Sequence, residues 1–220
     1  MTCITKLKPP GYVVVEGPIG VGKTSLVKRL AESFGSSTLL ENAEENPFLD
    51  RFYQDGQQAA LPTQLFFLFQ RNKQLQALRQ QDMFRTTLFA DFMLEKDPLF
   101  ARLNLDEEEL KLYEQVFAQL TMEAPVPDLV VYLQAPVDTL LQRIKRRNRK
   151  AESMMTVDYL QRLCDAYTEF FYYYNRSPLL IINAADINPV ESDADYQLLL
   201  GRICSIRSGK HYFNPAPILL

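Results

Sequence analysis

The run from Tyr12 to Leu30, YVVVEGPIGVGKTSLVKRL, limits what this chain can fold into more than any other stretch. Tyr12 to Val15 are β-favouring residues without a polar break, as in a strand buried within a parallel sheet. Gly17-x-x-x-x-Gly22-Lys23-Thr24 follows, and Ser25 to Ala31 is a helical run. Glycines at 17, 20 and 22 let backbone N–H groups turn inward, and the helix start at Ser25 adds partial positive charge. Strand, glycine loop and helix in this order make a cradle for phosphate. In such a cradle Lys23 reaches the terminal phosphates of a nucleotide and the Thr24 hydroxyl helps hold Mg²⁺. A glycine-rich turn of similar composition is the bland alternative. Every fixed position is occupied in the right context, so a nucleoside triphosphate site is expected.

Length and composition narrow the class. The 220 residues suit a single α/β domain spanning 1–220, and 47% hydrophobic with 23% charged residues gives no sign of disorder. A net charge of −3 speaks against nucleic-acid binding through bulk electrostatics. Cys3, Cys164 and Cys204 are scattered without metal spacing, and read as thiols of a reducing compartment. The N-terminal MTCITKLKPPG lacks an apolar signal core, and no stretch approaches membrane-spanning length, so a cytoplasmic protein without membrane contact is expected. His211, the single histidine, lies in a polar tail placed at 207–220 and is a poor general base.

Along the chain, strands alternate with helices. Strands are expected at Ser37–Leu40, Thr86–Ala90, LVVYLQ after Pro127-Asp128, and LLIIN after Pro178. A short helix begins at Asn46-Pro47, Gln54–Leu61 is a loop, and a long helix starts at Pro62. Helical patterns fill Leu94–Ala124, and further helices follow at VDTLLQRIKRR, Thr156–Tyr174 and Asp193–Ile206. The expected fold is a parallel sheet of about five strands, of the phosphate-loop NTPase type, with helices on both faces and an arginine-rich lid at 143–155.

Ligands of such sheets bind beyond the carboxyl ends of the strands, where Glu41, Asp91, Gln134 and Asn183 fall. Glu41 can accept the proton of an attacking hydroxyl, or can be a solvated loop acid like Glu44 and Glu45. Gln64 and Arg71 share a helix face two turns apart, and the amide of Gln64 suits a nucleobase edge. The basic run RIKRRNRKAE can be a solvated face, a nucleic-acid or membrane contact, or a lid. Its short length in an acidic chain favours a lid whose arginines close over phosphates. The loop Asn183–Ile187 can hold an adenine, or simply connect a strand to a helix.

Together these positions resemble the deoxynucleoside kinase family, over about Tyr12 to Ile187, and its bacterial branch in particular. GPIGVGKTS has the family's loop form, and Glu41 falls where the family has its general base, with Asn42 in place of the usual proline. The resemblance implies that Tyr53 touches the sugar 3′-hydroxyl, that Gln64 reads the base, and that Arg71 stands seven residues on as in the family. It matches Arg143, Arg147 and Arg149 to a lid R-x-x-x-R-x-R pattern, Glu152 to a lid acid that addresses the sugar, and Asp186 and Ile187 to the adenine loop. It departs at the third strand, where the family has Glu/Asp-Arg-Ser and this chain has Ala90-Asp91-Phe92-Met93. Asp91 matches the acid, near Mg²⁺, but no arginine follows it. Arg85 or a lid arginine would have to compensate, or activity is altered. Lys96 and Asp97 occupy the neighbourhood of a further family acid that reads the base.

The resemblance therefore implies an ATP- and Mg²⁺-dependent kinase acting on the 5′-hydroxyl of a deoxyribonucleoside in nucleotide salvage, and a homodimer. The alternatives are a thymidylate kinase-like monophosphate kinase and a non-catalytic nucleotide-binding relative.

Overall fold

Tyr12–Glu16 forms the expected strand, β1, with every residue buried. The computed structural model describes residues 8–80, 87–120, 124–149, 152 and 155–214. β1 lies at the centre of a six-stranded sheet with β2 (Ser37–Leu39), β3 (Leu88–Ala90), β4 (Leu129–Gln134), β5 (Leu179–Asn183) and β6 (Lys210–Phe213), in the order β2-β3-β1-β4-β5-β6. Every pairing is parallel, with Val14 beside both Ala90 and Val130. The helices are α1 (Lys23–Phe34), α2 (Leu49–Asp55), α3 (Ala60–Gln80), α4 (Asp97–Asn104), α5 (Glu107–Leu120), α6 (Val137–Arg147), α7 (Val157–Tyr173) and α8 (Asp193–Ser205).

Side chains of a strand alternate between faces, so β1 feeds two separate cores. Tyr12 and Val14 pack with Leu68 of α3, Tyr113 of α5 and Leu163, Tyr167 and Phe171 of α7. Val13 and Val15 pack with Leu26 and Leu30 of α1, Leu140 of α6 and Leu199 and Ile203 of α8. Burying each such aliphatic side chain is worth about 1.5–3 kcal/mol. Covering both faces explains why the strands read as unbroken apolar runs.

Two expectations need correction. The sheet has six strands rather than about five, because Lys210–Phe213, within the stretch taken as a polar tail, pairs with β5 from Leu179↔Lys210 to Ile182↔Phe213. An edge strand needs only one row of backbone partners, and KHYF alternates exposed with half-buried residues, so no apolar run betrays it. The Lys210 ammonium also caps α7, donating to the Phe171 and Tyr172 carbonyls at 2.9 and 2.7 Å. The expected loop at Gln54–Leu61 is helical instead, running from α2 through a 3₁₀ turn at Gly56–Ala59 into α3. Ala59 and Ala60 are buried there, small enough to hold the turn against the core.

From β1 the chain crosses to β2 on one side of the sheet, while from β3 it crosses back to β4 on the other. The carboxyl ends of β1 and β3 therefore flank a topological switch point, where open α/β sheets bind ligands.

Candidate active site

The loop from Gly17 to Gly22 leaves β1 at that crevice. Gly17, Gly20 and Gly22 all have positive φ, at 149°, 84° and 109°. A Cβ at Gly17 would come within 2.4 Å of the Leu133 carbonyl oxygen, so the loop can press against β4 only without a side chain. The Lys23 ammonium folds back over the loop, donating to the carbonyls of Gly17 at 2.8 Å and Pro18 at 3.2 Å. Burial, helped by the charge of Lys96, lowers its pKa to about 8. Beside it the Thr24 hydroxyl donates to Asp91 Oδ2 at 2.5 Å, just beyond β3.

Two cavities meet at this loop. One, of about 640 Å³, is lined by Gly20, Gly22, Lys23, Thr24 and Ser25 on one side and by Arg143, Arg146, Arg147, Ala184 and Ile187 on the other. Arg143 ties these walls together, donating to the Val21 carbonyl at 3.0 Å and the Ala184 carbonyl at 2.8 Å. Asp186 remains in its own exposed loop, accepting from the Asn183 amide at 2.6 Å, and does not line the cavity as Ile187 does.

The second cavity, of about 550 Å³, shares Gly20, Lys23, Thr24 and Arg147 with the first. Glu41, Tyr53, Gln64, Arg71, Asp91, Arg149 and Glu152 all line it. Elements far apart in sequence bring them together. Asp91 accepts the Glu41 N–H at 2.7 Å, which fixes the chain beyond β2 against the end of β3. Arg71 on α3 donates through Nε to Glu41 Oε1 at 2.7 Å, and its guanidinium also grips Asp97. Gln64, one face of the same helix, donates to the Asp97 carbonyl at 3.2 Å. Arg147 at the end of α6 holds Glu152 in a bidentate pair, with Nε at 3.1 Å from Oε2, and Arg149 reaches Glu44 at 3.1 Å.

The electrostatics follow from this packing. Burial raises the pKa of Glu41, but Arg71, Lys96 and Lys23 overcome it and bring the value down to about 2. Asp97 goes the other way: burial outweighs its attraction to Arg71 and Lys96 and lifts it to about 6. Its Oδ2 is buried without a hydrogen-bond partner. The same negative neighbours push the Arg71 guanidinium further up against the effect of its burial.

One residue beside the site escaped the sequence and another is placed differently from its expectation. Glu16, the last residue of β1, is fully buried and accepts from the N–H groups of Gly17 and Met93 and from the Tyr167 hydroxyl. An acid closing an apolar strand directly before the glycine loop was its only local signal. Lys96, expected near the base, has its ammonium 3.2 Å from Glu16 and 3.7 Å from Glu41 instead. Asp97 does sit where Arg71 and Gln64 converge. Arg85 lies outside the described residues.

A glycine-cradled lysine between two cavities, on a parallel sheet of this order, defines a phosphate-loop phosphotransferase. The comparisons give the family. The deoxynucleoside kinase family profile matches residues 13–205. Deoxyguanosine kinase of Bacillus subtilis (strain 168) is 34% identical over 157 residues, 71% of this chain and 76% of that relative. Deoxyadenosine/deoxycytidine kinase of the same organism is 27% identical over 88% of this chain and 92% of its own. In fold, the chain is similar to deoxyadenosine kinase from M. mycoides with dCMP and dCDP bound, with a TM-score of 0.77 and 24% identity, over 89% of this chain and all of that one. The chain belongs to the deoxynucleoside kinase family, phosphotransferases whose acceptor is a hydroxyl group. Membership sets aside the thymidylate kinase-like alternative.

Proposed function

We propose that the protein, as one kinase domain over 1–220, transfers the γ-phosphoryl group of ATP to the 5′-hydroxyl of a deoxyribonucleoside for nucleotide salvage. The observation that carries this reading is the pair of cavities sharing Lys23, Thr24 and Arg147, one for the donor and one for the acceptor. ATP lies in the first, its phosphates on the loop from Gly17 to Ser25 and its adenine toward Ala184 and Ile187. The deoxynucleoside lies in the second, with its base between Gln64, Arg71 and Asp97 and its sugar near Tyr53 and Glu152.

Glu41 takes the 5′-hydroxyl proton while Lys23, Arg143, Arg147 and Arg149 stabilise charge on the moving phosphoryl group. The Arg147–Glu152 pair links the two halves, since Arg147 borders both cavities and Glu152 only the acceptor's. Thr24 and Asp91 place a hydroxyl and a carboxylate oxygen side by side at the phosphates, a donor set that fits Mg²⁺. No cluster of three or more His, Cys, Asp or Glu suited to a metal occurs among the described residues. When bound, Mg²⁺ would neutralise phosphate charge.

The test is ATP-dependent phosphorylation of the four deoxynucleosides beside dTMP and the ribonucleosides. Transfer to at least one deoxynucleoside is expected. Transfer to dTMP alone, or to nothing despite ATP binding, overturns the reading. We also infer a cytoplasmic homodimer. No helix among the described residues is long and apolar enough to cross a membrane. Sedimentation at micromolar concentration tests the dimer.

A further inference from the structure

Phe92, the residue after Asp91, is fully buried in the core and does not line the acceptor cavity. A buried cation from the following turn does line it. Lys96, in a 3₁₀ turn at Leu94–Lys96, is only 2% exposed and lines the cavity with Glu41 and Asp91. A lysine so buried is rare unless it is paired or working.

Its surroundings separate an anchor from a target. Glu16 is the anchor, its Oε1 3.2 Å from the ammonium and also accepting the Met93 N–H at 2.9 Å. Glu16 cannot move, because β1, the Gly17 N–H and the Tyr167 hydroxyl all fix it. Glu41 is the target at 3.7 Å, too long for a hydrogen bond. An ammonium carries three donors, and the contacts to Glu16 and Glu41 do not exhaust them. A hydroxyl oxygen lying between Glu41 and Lys96 can reach both.

We propose that Lys96 is a catalytic residue which binds the acceptor 5′-oxygen beside Glu41. This rests on the kinase reading given above. In the step, a lone pair of the 5′-oxygen forms the bond to the γ-phosphorus. The bond from phosphorus to the β–γ bridging oxygen breaks, its electron pair leaving with ADP. The hydroxyl proton passes to Glu41, and Lys96 keeps all of its protons. Its charge opposes the tendency of a buried carboxylate to repel the incoming phosphoryl oxygens and aligns the attacking oxygen.

The test compares Lys96→Met, Lys96→Arg and the double variant Glu16→Gln/Lys96→Met with the unmodified protein in steady-state kinetics and thermal unfolding. Lys96→Met is expected to lose ~10²-fold in kcat with KM for ATP and deoxynucleoside within about threefold, and Lys96→Arg to recover a large part of the loss. Lys96→Met leaves Glu16 without its cation and can unfold; the double variant leaves neither charge buried and is expected to keep the fold. If Lys96 only neutralises Glu16, the double variant regains the original kcat and the proposal falls. If the double variant melts like the unmodified protein yet stays ~10²-fold slow, the proposal stands. An unmodified protein that phosphorylates deoxynucleosides, with Lys96→Met equal to it in kcat, removes the Lys96 assignment alone. An unmodified protein that phosphorylates none removes both readings.

Discussion

Arg71 on α3 clamps Glu41 beyond the end of β2, its Nε donating to Oε1 at 2.7 Å and a terminal nitrogen joining the same oxygen. The side chain of Glu41 is 21% exposed and that of Arg71 only 5%. The clamp favours the ionised form of Glu41 and aims it by a helix rather than by a loop.

Glu41→Gln tests the base directly. It keeps the shape but removes the proton acceptor, so folding and nucleoside binding are expected to persist while kcat drops ~10²-fold or more. Equal turnover in the variant would transfer the role to another group.

Arg71 also holds Asp97, whose side chain is wholly buried. Arg71→Leu leaves Lys96 as the remaining cation beside Glu41 and Asp97, and breaking a buried pair in this way costs about 3–5 kcal/mol. Urea unfolding should show that loss. A midpoint unchanged from the parent protein would mean that the ion pairs contribute nothing net.

Asp97 predicts a pH dependence. Its pKa, lifted to about 6 by burial against the pull of Arg71 and Lys96, lies in a range where the carboxylate is present above and lost below. Glu41 and Glu16 face the same group and add to the lift. If the ionised form binds the nucleobase, kcat/KM for the deoxynucleoside falls as pH drops through about 6, while kcat/KM for ATP does not. Asp97→Asn should abolish this acid limb. A limb that survives the substitution belongs to a different group.

Gly17→Ala tests the close approach of the phosphate loop to β4. With φ at 149° and the Leu133 carbonyl oxygen 2.4 Å from the new Cβ, the backbone itself must shift. The strain is expected to cost about 1–3 kcal/mol, with ATP binding lost in proportion as the cradle opens. Calorimetric titration with ATP on the folded variant measures the second effect apart from the first.

Local chemistry determined much of this protein. Glycines at 17, 20 and 22 followed by Lys23 and Thr24 can form little else than a phosphate cradle after a buried strand, since the required φ values and the helix start are properties of the segment itself. Strands flanked on both faces had to be apolar throughout, which made the parallel α/β sheet legible from Val13–Val15 and Leu129–Leu133. Three features were decided only by tertiary structure. β6 exists because an edge of β5 offers backbone partners, which the alternating KHYF run does not announce. The Glu41–Arg71–Asp97 chain joins residues from a strand end, a helix and a later helix start, and their charges matter only once burial has removed the water between them. Lys96 is the clearest case. Its sequence position placed it near the base, but whether its ammonium meets base, solvent or carboxylate depends on where the turn after β3 packs, and that turn sets it between the buried Glu16 and the partly buried Glu41.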